Sequence, residues 1–230
     1  MARRKDHSRA ELGALVLEAA TALATAEGLR GVAMRRIAEA IGYAPGSIYN
    51  AVGDLDDVVL RVNGATLTGL AAALEAALAA RPEHAPASAP EARALVLAEA
   101  YLDYVSARRL LWGMLFEHTL PAGRTAPDWF REMRDAPVQV VMGALGPLFP
   151  GDAAERRRAV LTLWAALQGV VAMALSGALA ALGDEAEPRR LVRLLVARYV
   201  GSGGRSGQAG EGQAGEGQAG EGQAGEGQGR

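Results

Sequence analysis

The side chains between Arg35 and Asn50 have the chemistry of a surface that meets a polyanion. Arg35 and Arg36 are adjacent, so on a helix they point about 100° apart. One can reach a phosphate or the O6/N7 edge of guanine while the other stays solvated. Ser47 and Asn50 donate to phosphate or base, and the Tyr49 hydroxyl suits a phosphate. Tyr43 and Pro45 offer apolar contact of the kind a thymine methyl accepts, with Ala44 and Gly46 beside them. Arg3, Arg4 and Lys5 add three cations in an N-terminal arm. A second set is apolar: Trp112, Met114, Phe116, Trp129, Phe130, Met133, Trp164 and Met173, with Gln168, Glu117 or His118 as polar anchors. Apolar walls with few polar groups describe a small-molecule pocket, although each such residue taken singly also suits ordinary core. Catalytic chemistry has no comparable constellation. His7, His84 and His118 share no metal-ligand spacing, and no glycine loop that cradles phosphates precedes a helix. Glu117 and His118 are neighbours, which does not by itself make an acid–base pair. No enzyme activity, cofactor or metal is expected.

The elements that must position the first set are legible. Met34, Ile37, Ala38 and Ile41 follow i, i+3, i+4, i+7 and share one helix face. Gly42 ends that helix, because a left-handed turn costs glycine nothing. Pro45 or Gly46 opens a second helix, proline being tolerated in a first turn that has no hydrogen bond to lose. Ile48 and Val52 form its buried side, leaving Tyr43, Ala44, Ser47 and Asn50 on or near the exposed end. Two short helices joined by a glycine turn over residues 32–52 form a helix-turn-helix, whose second helix enters the major groove.

Residues Ser8 to Asn63 resemble the TetR family of bacterial regulators. The matching residues are Ile37-Ala38, Gly42-Tyr43-Ala44, Gly46-Ser47-Ile48-Tyr49 and Asp54-Leu55-Asp56-Asp57-Val58. Five positions depart from the family pattern. Ala33 stands where a threonine is usual, and Ala51-Val52 replaces His-Phe. Leu55 stands where a lysine is usual, and Pro45 replaces a polar or basic residue. Trp164 to Gly169 further resembles a Trp-x-x-x-His-Gly pattern in one group of the family's C-terminal domains, with Gln168 in place of the histidine. Gln168 keeps a hydrogen-bonding tip and loses titration near neutral pH.

The rest of the chain reads as helices. Ser8 with Glu11 is a capping box, opening a helix that buries Leu12, Leu15, Val16, Ala19 and Leu23 and stops at Gly28. Asp54 caps a long helix over about 55–80, with Asp56 and Asp57 where the dipole favours anions. Pro82, Pro86 and Pro90 mark a loop. Helices follow over about 91–107, 110–118, 128–145 (kinked at Pro137), 153–182 and 189–200. Ala159 to Leu182 holds no charge over 24 residues, long enough to span a bilayer. It is the one such segment expected. A buried helix at a subunit interface is favoured over a membrane span, since a helix apolar all round can equally be buried in protein. From Gly207 the sequence Gly-Gln-Ala-Gly-Glu repeats four times, with a truncated copy at Gly227. A period of five with no large apolar residue buries no core, and residues 201–230 are read as a disordered, soluble tail.

With no cysteine, the 230-residue chain has no disulfide or thiolate chemistry, which fits a reducing cytosol. Its N-terminus lacks the apolar stretch of a signal peptide. Net charge is −2, and residues 1–61 balance eight basic against eight acidic side chains. Phosphate neutralisation must therefore come from where the cations sit. The expected organisation is all-α: an arm (1–7), a three-helix DNA-binding domain (8–54), a helical effector-binding and dimerisation domain (55–200) and the tail (201–230). The resemblance implies a cytoplasmic homodimer, joined through helices 153–182 and 189–200. It implies binding to a palindromic double-stranded DNA operator and, most simply, repression relieved by an unknown small-molecule effector. Two alternatives are a helical adaptor without DNA binding and a single-span membrane-attached protein.

Overall fold

A computed structural model describes residues 7–80, 90–183 and 187–208. Arg3, Arg4 and Lys5, the Pro82–Pro86 loop with His84, and the repeats from residue 209 lie outside the described residues. The described residues form nine α-helices and no strand: α1 (Arg9–Glu27), α2 (Met34–Ile41), α3 (Pro45–Val52), α4 (Leu55–Ala79), α5 (Pro90–Ala107), α6 (Arg109–Glu117), α7 (Asp128–Leu145), α8 (Ala153–Leu175) and α9 (Pro188–Gln208).

Three helices begin with a complete capping box: Ser8 with Glu11, Asp54 with Asp57, and Asp152 with Glu155. Each satisfies two orphan donors reciprocally. Ala33 and Ala44, the N-caps of α2 and α3, make no side-chain cap bond. Tertiary packing must therefore hold the two short helices, which are too short to be stable alone. The packing is there: Ile37 and Ile48 are completely buried, each contributing roughly 1.5–3 kcal/mol.

Two apolar cores result. The N-terminal one joins α1–α3 to Val58, Val59 and Val62 of α4 and to Leu111 and Met114 of α6. The C-terminal one joins Leu67, Leu70 and Leu74 of α4 to α5, α7, α8 and α9, and includes Trp112 of α6. Helices α4 and α6 thus enter both cores, and α4 packs most extensively against α7. Gly64 permits that approach, because a Cβ there would meet Met133 Sδ at 2.5 Å.

Four details differ from the sequence expectations. The buried stripe of α1 is Leu12, Val16, Ala20 and Ala24, while Leu15, Ala19 and Leu23 are half-buried; a strict four-residue stripe faces the neighbouring helices. Helix α8 stops at Leu175 rather than Leu182. The chain turns at Ser176 and Gly177 (φ 76°) and resumes as a 3-10 turn over Ala180–Leu182, so the charge-free run is not one helix. Helix α9 continues past Val200 to Gln208. Finally, three helical segments, not one, are long and apolar enough to cross a membrane: Arg9–Gly31, Leu55–Ala79 and Ala153–Leu175. Pro137 lies inside α7, which is helical from Asp128 to Leu145.

Candidate nucleic-acid interface and effector cavity

The turn between α2 and α3 has the geometry its residues dictate. Gly42 adopts φ 74°, ψ 33°, the left-handed conformation, and its N–H bonds the Ala38 carbonyl at 2.9 Å. The Tyr43 N–H bonds the same carbonyl at 3.0 Å, so the two helices meet at a fixed angle. Ile48 and Val52 turn inward. Ala44, Pro45, Gly46, Tyr49 and Asn50 are exposed and Ser47 is half-exposed. Tyr49, 50% exposed, is not a core tyrosine; its ring stands on the open side of α3. Tyr43 is half-buried, and its hydroxyl meets His7 Nδ1 at 2.6 Å. His7 therefore joins this surface, a contact across 36 residues that the sequence gives no means of pairing.

The two arginines of α2 separate. Arg35 is 87% exposed, with its Nε 3.0 Å from Glu39 one turn on. Exposed i,i+4 pairs of this kind contribute only a few tenths of a kcal/mol, so the guanidinium is easily redirected to an external anion. Arg36 instead grips Glu27 with both terminal nitrogens, at 2.6 and 2.5 Å, and bonds the Gly31 carbonyl at 3.2 Å. The bond from Arg36 holds the Glu27 carboxyl below its usual range. The fork of Arg36 thus fastens the end of α1 to α2, and Arg35 is the one of the pair left facing outward.

Behind this surface, the first turn of α4 is fastened to the segment after α6. Arg124 reaches Asp54 Oδ2 at 2.6 Å, Asp56 Oδ2 at 3.2 Å and Asp57 Oδ1 at 2.8 Å. His118 Nε2 lies 2.9 Å from Asp56 Oδ1. The bond to Arg124 is the largest cause holding the Asp54 carboxyl below its ordinary value. Among the described residues no group of three or more His, Asp or Glu side chains is arranged to hold a metal ion.

The C-terminal core contains a narrow cavity of about 60 Å³, lined by residues of α4, α5, α7, α8 and α9, including Leu70, Leu97, Tyr101, Val141, Leu163 and Trp164. The hydroxyl of Tyr101, one of the lining residues, donates to Gln168 Oε1. The Trp112 Nε1–H donates to the same oxygen at 3.3 Å. Burial pushes the Tyr101 hydroxyl well above its ordinary value, opposed in part by the Trp164 indole. Gln168 is therefore an acceptor shared by two aromatic donors from α5 and α6.

The aromatic residues proposed as one pocket are divided. Trp164 lines the cavity, whereas Trp112 and Gln168 are not among its lining residues and are tied to it through the Tyr101–Gln168–Trp112 hydrogen bonds. Phe116 is 55% exposed and packs edge-on against Trp112. Phe130 packs on the C-terminal core, whereas Trp129 and Met133 face α1 and α4. Helical geometry explains the split, since residues 129 and 130 point about 100° apart and α7 is clasped on two sides. Tyr101 was missed. It lies on the Ala94, Leu97, Ala98, Tyr101, Leu102, Val105 stripe of α5, and a tyrosine on so apolar a stripe must find a partner for its hydroxyl.

The fold has close counterparts. A structure of a protein with unknown function from Rhodococcus sp. RHA1 superposes with a TM-score of 0.66 at 21% identity, covering 87% of this chain and 98% of that one. A TetR transcriptional regulator from the same organism gives 0.56 at 19% identity, covering 82% and 97%. A tetR-family transcriptional regulator from Streptomyces coelicolor gives 0.55 at 18% identity, covering 91% and 93%. No curated protein matches the chain significantly. Residues 16–51 match the model of bacterial regulatory proteins of the tetR family. Residues 94–199 match that of the tetracyclin repressor-like C-terminal domain. The first match covers α2, α3 and most of α1, the second runs from α5 into α9, and together they cover more than half of the chain. A helix-turn-helix joined by a long helix to this C-terminal domain makes the chain a member of the TetR family, a DNA-binding transcriptional regulator.

Proposed function

We propose that the protein is a homodimeric repressor that binds a palindromic operator and is released by a small molecule. The observation that carries this reading is the exposed polar face of α3 on a fully buried Ile37–Ile48 support. Arg35, Tyr43, Ala44, Pro45, Gly46, Ser47, Tyr49 and Asn50 form the DNA surface, joined by His7. Arg36 acts by holding α2 against α1. Arg3, Arg4 and Lys5 add phosphate contacts from the arm. Dimerisation through the outward faces of α8 and α9 is supported by the apolar surface they leave uncovered. The most apolar window of α8 is only 22% buried within the chain, and Trp164, Met173 and Leu194 are exposed. Two-fold symmetry would set the recognition helices ~34 Å apart, one turn of DNA, or a multiple of it.

The effector cavity lies beside Tyr101, Trp164 and Gln168, in the core that shares α4 and α6 with the DNA-binding half. A ligand that binds better to a dimer with the wrong helix spacing shifts the population off the operator. The apolar lining selects an apolar molecule. A dimer working inside the cell follows from this role. The test is a titration of the protein against duplexes from DNA flanking its coding region, at two salt concentrations. One palindromic duplex should bind tightly. Arg35→Ala should weaken it by about 1–3 kcal/mol if Arg35 reads a base, or reduce the salt slope by about 1 if it meets a phosphate. Equal binding to every duplex, untouched by Arg35→Ala, would refute the reading.

A further inference from the structure

Helix α1 is apolar beyond what its core contacts need. Its most apolar window has a mean hydropathy of 1.4, yet only 28% of it is buried. The uncovered side forms a trough of about 830 Å³ against α4 and α7, lined by Ala14, Leu17, Val52, Ala65, Trp129 and Met133. A second concavity of about 750 Å³ shares Ala14, Leu17 and Ala65 with it and continues to Ala26. From Ala10 to Ala26 the two extend ~24 Å along α1. This trough is separate from the cavity beside Gln168, with which it has no lining residue in common.

One end of the trough is cationic. Arg9 and Arg61 both line it. Among the described residues neither has an ion-pair partner: the Arg9 Nε donates to the Ala51 carbonyl at 3.3 Å, and the Arg61 guanidinium lies 5.3 Å over the Trp129 ring. A guanidinium on an indole face is fixed in position while its N–H edge stays available. Further along, Thr21 and Thr25 donate to the backbone carbonyls of Leu17 and Thr21, so their hydroxyls present little demand. Glu18 lines that far half and disfavours a negative group there. Charge therefore runs from positive at Arg9 and Arg61 to negative at Glu18, along an apolar floor.

We propose that this trough is a second ligand site, for a long-chain organic carboxylate. Its head would pair with Arg61 and Arg9 and its hydrocarbon would lie along α1. Arginine suits a carboxylate through paired, charge-assisted hydrogen bonds. Each methylene removed from water contributes roughly a fourfold gain in affinity when fully buried, and about twofold in an open trough. The occupant would touch α1, the end of α3, and α7, and so fasten the DNA-binding half to the C-terminal half.

The test is calorimetric titration of the full chain with dodecanoate, 1-dodecanol and hexanoate. Dodecanoate should bind, and hexanoate should bind roughly 60-fold more weakly from the six methylenes it lacks. Arg61→Gln should weaken dodecanoate at least tenfold, and Ala65→Trp, which fills the trough, should abolish binding while circular dichroism shows an intact fold. Any of three results overturns the proposal. Equal binding of dodecanol and dodecanoate removes the carboxylate's role. Dodecanoate binding unaffected by both variants assigns it to the cavity beside Gln168. Absence of dodecanoate binding refutes the ligand site outright, and a change in sedimenting mass with Ala65→Trp then assigns the trough to a second copy of the chain.

Discussion

Replacing Gly53 with alanine should destabilise the protein by about 2–4 kcal/mol, for reasons that separate cleanly. Gly53 joins the recognition helix α3 to α4 with φ 91°, ψ −145°. That region is nearly closed to residues with a Cβ, and occupying it costs about 1–3 kcal/mol. The added Cβ would also sit on Asp57 Oδ2 and only 3.0 Å from its Cγ. Asp57 would have to swing away, losing its bond from the Asp54 N–H at 3.1 Å and its contact with Arg124 at 2.8 Å. The lost cap adds about 1 kcal/mol. Gly42→Ala is the matched control. Its φ is also positive, in the left-handed helical region, but a Cβ there meets nothing within 4 Å. Its strain of about 1–2 kcal/mol is partly offset by the ~0.4–1 kcal/mol that alanine gains through a less mobile unfolded chain. Urea unfolding followed by circular dichroism, with a shared slope, reads both variants. If Gly53→Ala proved as mild as Gly42→Ala, the capping box and the backbone strain would not be what fixes the α3–α4 junction.

Three further outcomes are expected. The Asp54 carboxyl is held low by Arg124, so its contribution is present above the ordinary carboxylate range and is lost as pH falls through the lowered value. Arg124→Gln should therefore lower the melting temperature at neutral pH and converge with the parent in acid; an equal difference at every pH would contradict the pairing. Gln168→Leu leaves the Tyr101 and Trp112 donors without their acceptor and should cost about 2–4 kcal/mol, while Gln168→His, which keeps an acceptor, should cost less in the same unfolding assay. Leu194→Arg with Met173→Glu charges the uncovered faces of α9 and α8; if the proposed dimer forms through them, sedimentation should show the parent as a dimer and the variant as a monomer, and an unchanged mass would place the interface elsewhere.

What the sequence determined by itself is local. The three capping boxes need only a side chain and a backbone N–H three residues apart, and the turn at Gly42 needs only the absence of a Cβ. The stripe of Met34, Ile37, Ala38 and Ile41 follows from the helical period, and with the buried pair Ile48 and Val52 it yields the helix-turn-helix and its exposed face. Family resemblance rests on the same short-range residues. Tertiary structure decided which faces meet, because helical periodicity says which side of a helix is apolar and nothing about its neighbour. It sent Arg36 to Glu27, nine residues back, and left Arg35 outside. It brought Arg124 onto carboxylates 67 to 70 residues away and Tyr101 onto Gln168, 67 residues on. It split Trp129 from Phe130, so that aromatics alike in composition serve different surfaces. The end of α8 was also tertiary in origin: a charge-free run reads as one helix until Ser176 and Gly177 turn the chain back toward α9.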